Sequence, residues 1–199
     1  MNFLAHAYLS PSDPSIQIGN MLGDTVKGKK MTGVSDKVRE GVLLHRRIDI
    51  YTDSHPEIAN LVHLFRPVLG RFSPIAVDVI LDHFLAKDWL NYAPISLDHF
   101  VHVLFKSFEG IETDLPDRTK WLGTLMQERG WLLQYQSLVG LEDILVQMSR
   151  RLENRVKLFE AIPFLRLNYE EVQGRFGSFF YQLKQEFPPD WIHDPRFTK

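Results

Sequence analysis

Residues 42–51, Val42-Leu43-Leu44-His45-Arg46-Arg47-Ile48-Asp49-Ile50-Tyr51, decide the fold class of this chain. Wound as a helix, at about 100° per residue, the apolar side chains leave no broad polar face. Such a helix is expected to be buried on most sides. His45 and Asp49 lie four residues apart, so they project together from one side. A buried carboxylate is costly unless a cation, a hydrogen-bond donor or a metal answers it. Ser35 is a fitting N-cap, which sets the helix at 35–51. Asp53 either extends the His45–Asp49 line by one turn or caps the helix that follows at Pro56.

Outward from this stretch the same period recurs. Helices are expected over 2–9, 15–26, 56–69, 73–90 and 96–110, with loops after Gly28 and over 113–118. His55-Pro56 breaks the chain between two of them, and Ser73-Pro74 reads as a capping hydroxyl followed by proline in the first turn. Leu141, Ile144, Leu145, Met148 and Leu152 form one later apolar stripe; Tyr169, Val172, Phe176, Phe179, Phe180 and Leu183 form another. The proline-rich tail from Phe187 reads as irregular. Alternating β-branched runs, internal repeats and linkers are missing. The expectation is an all-α helical bundle, one domain over residues 1–199.

Hydrophobic residues make up 44% of the chain and charged residues 24%, an ordinary balance for a globular protein. The absence of cysteine excludes disulfides and thiolate metal sites. Any metal must be held by His, Asp or Glu, which favours manganese, magnesium, iron or zinc. The N-terminus lacks the pattern of a signal peptide, and no stretch approaches the roughly 20 apolar residues of a membrane span. A cytoplasmic location and no membrane partner are expected.

The segment 73–90 repeats the chemistry of 42–51: Asp78, Asp82 and His83 interrupt an otherwise apolar helix. Helical bundles build metal sites from inward carboxylates and imidazoles on adjacent helices. Two buried helices carrying both residue types therefore point to a metal, although a lone core histidine is usually only hydrogen-bonded. Asp24 follows two glycines and precedes Lys27, Lys29 and Lys30, which could join a metal-binding acid to phosphate-binding cations. His6 sits on an early helix that should pack inward. Between Lys27 and Arg47 the formal charge is +5 on a chain of net −2. This local patch suits a specific anionic partner rather than nucleic acid, or else is a solvated face.

Met1-Asn2-Phe3-Leu4-Ala5-His6, Gly19-Asn20-x-Leu22-x-Asp24, His45-Arg46-Arg47-Ile48-Asp49-x-x-Thr52-Asp53 and Asp82-His83-Phe84-Leu85 together resemble the acyl carrier protein phosphodiesterases. Trp131-Leu132-x-x-Tyr135 and Met148-Ser149-Arg150-Arg151 extend the resemblance more loosely. It implies hydrolysis of the phosphodiester that joins 4′-phosphopantetheine to a serine of holo-acyl carrier protein, leaving the apo-carrier. It also implies a divalent metal, usually manganese, with magnesium or iron as alternatives, and an HD-phosphohydrolase-like helical fold. The adjacent pair here is Asp82-His83 rather than the His-Asp of the simplest HD pattern.

On that resemblance Asp24, His45, Asp82 and His83 are the expected ligands, and Asp49 is a ligand or the group that orients His45. His6 or Asp53 would move protons. Arg46 and Arg47 would neutralise phosphate or meet the acidic carrier, and Lys27, Lys29 and Lys30 would contact the carrier. Two rival readings are a metal phosphohydrolase of nucleotides or other small phosphate esters, and a non-catalytic helical module for an acidic partner.

Overall fold

The computed structural model describes residues 1–28, 31, 33–111 and 115–197, and every regular element among them is helical. In chain order these are α1 (Phe3–Tyr8), α2 (Pro14–Met21), α3 (Asp36–Ser54), α4 (Pro56–Leu69), α5 (Ser73–Lys87), α6 (Leu97–Ile111), α7 (Asp117–Glu128), α8 (Trp131–Gln134), α9 (Leu138–Arg151), α10 (Ala161–Leu167) and α11 (Tyr169–Glu186). No helix is long and apolar enough to cross a membrane.

The sequence of α5 dictates its central place. Residues 79–86 are all buried, so this helix must be surrounded. It is packed against α1, α4, α9 and α11. The α5 carboxylates answer the buried start of the chain. The Met1 ammonium lies 2.9 Å from Asp78, and Asp82 accepts the backbone N–H groups of Asn2, Leu4 and Ala5. The first N–H groups of a helix have no partner within it. Asp82 supplies one from another element and so fixes α1 on α5.

α2 and α3 make the most intimate helix pair. A methyl group at Gly19 would meet the Val38 carbonyl oxygen at 2.4 Å, and one at Gly41 would meet the Ile16 carbonyl oxygen at 2.2 Å. Backbone rests on backbone there, which only glycine permits. Ser35 caps α3 through Val38 N–H, as its sequence suggests.

Elsewhere the structure departs from the sequence pattern. α2 ends at Met21, and a 3₁₀ turn over Gly23–Thr25 replaces its expected last turns. The Ser73 hydroxyl donates back to Gly70 O instead of capping α5. α3 is not buried on most sides: Leu43 is 49% and Ile50 70% exposed. α7 and α8 lie where the periodicity marks no element. The tail is not a loose end. Trp191 and Phe197 are buried against Phe100, and the Trp191 indole N–H donates to Tyr8 O at 2.6 Å. A few aromatics suffice to dock an aperiodic segment, since each carries a large apolar area.

Candidate metal centre

Three elements bring the chemistry together: α1 with His6, the α2–3₁₀ segment with Asn20 and Asp24, and α3 with His45 and Asp49. The two imidazoles stack with centroids 3.9 Å apart and 28° between planes. His6 Nε2 lies 3.2 Å from one Asp49 oxygen, and His45 Nε2 lies 3.1 Å from the other. Asp24 adds an oxygen 3.4 Å from His45 Nε2. Gly23 makes room, because a methyl there would sit 2.5 Å from the His45 ring.

Asn20 sets both tautomers. His45 Nδ1 is 2.8 Å from the Asn20 backbone oxygen, which can only accept, so that nitrogen carries the proton. The Asn20 amide nitrogen donates to His6 O and to Ser10 Oγ, each at 2.8 Å. Its side-chain oxygen therefore faces His6 Nδ1, 3.0 Å away, and accepts from it. Both rings thus present Nε2 lone pairs to one space. Each Nε2 is buried and lacks a hydrogen-bond partner of good geometry among the described residues.

Lone pairs facing a carboxylate at about 3 Å repel unless a proton or a cation lies between them. Burial, against the pull of Asp49, pushes His6 down to about 4. Burial also opposes charge on His45, but Asp24 and Asp49 outweigh it and raise that ring to about 9. Asp49 falls well below the usual carboxylate range, since both imidazoles overcome its burial. Asp24 is lowered too, first by its hydrogen bond to His45. Without a cation, the pull of Asp24 and Asp49 favours a proton on His45 Nε2.

The geometry fits a divalent cation. Ligand atoms of His6, His45 and Asp49 lie within 4.8 Å of one another. Contacts of 3.1–3.4 Å match the edges of a polyhedron whose metal–nitrogen bonds are about 2.0–2.1 Å. Two imidazoles with carboxylates suit manganese, iron or zinc better than calcium. Asp49 keeps 37% of its side chain exposed and Asp24 81%, so the cluster opens to solvent on their side.

Of the other expected residues, His6 alone joins this cluster. Asp82 is spent on the N-terminus of α1. His83 donates from Nδ1 to Tyr135 O and accepts at Nε2 from Tyr169 Oη, so both ring nitrogens are taken. Asp82 and His83, expected as ligands beside His45, thus have other partners in this structure. His6, expected to move protons, stands among the ligand atoms instead. Arg46 donates to Val26 O and Gly28 O and braces the loop after Asp24. Arg47 lies on the far side of α3 from Asp49, over the Phe187 ring. Asp53 is exposed one turn beyond Asp49, and His55, not Asp53, caps α4. Lys27 is exposed; Lys29 and Lys30 lie outside the described residues. Asn20 went unassigned in the sequence because it orients the two imidazoles through hydrogen bonds without adding a donor to the cluster. Its place in Gly19-Asn20-x-Leu22-x-Asp24 was the available signal.

A family model described as acyl carrier protein phosphodiesterase matches residues 1–183. The acyl carrier protein phosphodiesterase of Photorhabdus laumondii is 32% identical over 187 residues, 94% of each chain. Those of Klebsiella pneumoniae and Enterobacter sp. are 32% and 33% identical, covering 92% of this chain and 95% of theirs. No solved structure matches the chain.

Proposed function

The chain belongs to the acyl carrier protein phosphodiesterase family, and from that premise we propose that it hydrolyses holo-acyl carrier protein to the apo-carrier and 4′-phosphopantetheine. The observation that carries the reading is the convergence of the His6 and His45 Nε2 lone pairs on Asp49. His6, His45 and Asp49 would hold a divalent cation, manganese by preference, with Asp24 at its open side. When bound, the cation supplies Lewis-acid polarisation of the phosphoryl oxygen and a more acidic water.

The protein's own residues do the rest. Asn20 keeps both rings in the tautomer that leaves Nε2 free, the task that outer hydrogen bonds perform at metal sites. Asp49 spans both rings and holds their spacing. Asp53, exposed on the same run of α3, is the carboxylate assigned to take the proton released as water attacks phosphorus. Arg46 keeps the loop beyond Asp24 in place. Lys27, with Lys29 and Lys30 in the same basic segment, is assigned to meet the acidic carrier, where complementary charge steers encounter.

The test is incubation with holo-carrier and Mn²⁺, read by intact mass. Loss of the phosphopantetheine mass is expected, and chelation should abolish it. Unchanged holo-carrier, alongside hydrolysis of small phosphate esters, would replace this reading with the small-ester phosphohydrolase.

A further inference from the structure

A cleft of about 220 Å³ opens beside the cluster, lined by Asn2, Phe3, Asp24, Ile75, Trp131, Met148 and Arg151 among others. Asp24 belongs to both the cleft and the cluster, so the two adjoin. Its walls are apolar where Phe3, Ile75, Trp131 and Met148 meet. Phe3 and Trp131 are themselves in contact, with centroids 6.1 Å apart. Two polar groups on these walls lack an ordinary partner. The buried Trp131 indole N–H has no acceptor among the described residues. Arg151 lies over the Trp131 ring at 4.8 Å, and no described carboxylate is within ion-pair distance of it.

A slot with apolar walls, a free guanidinium and the Asp24 carboxylate in one lining suits one ligand chemistry. That ligand is a phosphate ester whose alcohol is a flexible chain bearing methyl groups and amides. Arginine forks match phosphate oxygens and are the usual choice for them. The volume is below the roughly 300–1,000 Å³ of sites that enclose drug-sized ligands, so the slot takes the phosphate and the adjoining end of such a chain.

Resting on the reading above, we propose that this cleft receives the phosphopantetheine arm and that Arg151 binds its phosphate. The two arginines that follow His45 on α3 are committed elsewhere, Arg46 to the loop and Arg47 to Phe187. α9 supplies the arginine instead. Trp131 keeps it extended over its ring.

The experiment compares two probes by calorimetric titration of the Mn²⁺-loaded protein: 4′-phosphopantetheine and pantetheine, which lacks the phosphate. Wild type should bind 4′-phosphopantetheine more tightly. Arg151→Gln should weaken 4′-phosphopantetheine at least tenfold and leave pantetheine within twofold; Met148→Trp, which fills the slot, should weaken both. Arg151 is exposed, so its variant should keep the wild-type melting temperature, measured alongside. Equal loss of both probes in Arg151→Gln, or unchanged binding in both variants, overturns the inference; so does a wild type that binds neither probe. Holo-carrier hydrolysis by wild type is scored separately. Turnover with unaltered probe binding in the variants would sink the cleft and leave the activity standing.

Discussion

Asn20 is where single side chains matter most. Asn20→Ala removes the acceptor of His6 Nδ1–H and frees that ring to flip its tautomer. Mn²⁺ affinity should fall about 10–100-fold, as loss of such supporting groups typically costs, in a protein whose circular dichroism is unchanged. The proton on His45 sets a second expectation. A cation must displace it, and in the empty cluster it is held until about pH 9. Below that pH, each unit of acidification should weaken Mn²⁺ about tenfold, with one proton released per ion bound. Titrations at pH 6, 7 and 8 in a non-chelating buffer check the slope; a flat response would mean that His45 is not a ligand. His45 and Asp49 were legible because helical spacing places them on one side. Asp82 and His83 carry the same signal, a buried acid beside a buried imidazole. Sequence does not distinguish a cation from three backbone N–H groups as the partner that answers it.

At the scale of elements, the site depends on contacts that carry no side-chain cushion. Gly41→Ala would drive a methyl into Ile16 O and sit 2.7 Å from Asn20 N. Forcing such contacts apart costs typically about 1–3 kcal/mol. The shift should also move Asn20 relative to His45, so a lower melting temperature and weaker Mn²⁺ binding are expected together. Asp82→Ala strips three N–H groups of their acceptor, at about 1–3 kcal/mol for each one left buried and unpaired. Hydrogen exchange should then quicken at Leu4 and Ala5 before it does in α5. The starts of α3 and α4 were readable because Ser35 and Pro56 act locally. α7 was not, since exposed Trp121 and scattered charges blur its face, and neither was the tail, whose aromatics have no period.

For the whole molecule, the basic segment should govern encounter with an acidic carrier. Lys27→Glu should raise KM and flatten its dependence on salt, with kcat little changed, because screening acts over about 8–10 Å. An unchanged KM would remove Lys27 from the docking surface. The clasp between the ends of the chain has a different consequence, in the order of assembly. Every residue of the candidate metal centre lies from His6 to Asp49, so the loops that close it are short and cheap in entropy. Yet Tyr8, at the end of the helix that carries His6, waits for the indole of Trp191, and the α1 N-terminus waits for Asp82. During synthesis, which runs from the N-terminus, the ligands emerge first and the parts that fix them emerge last. A nascent chain halted before residue 187 should therefore hold a loose centre that tightens when the final segment is added.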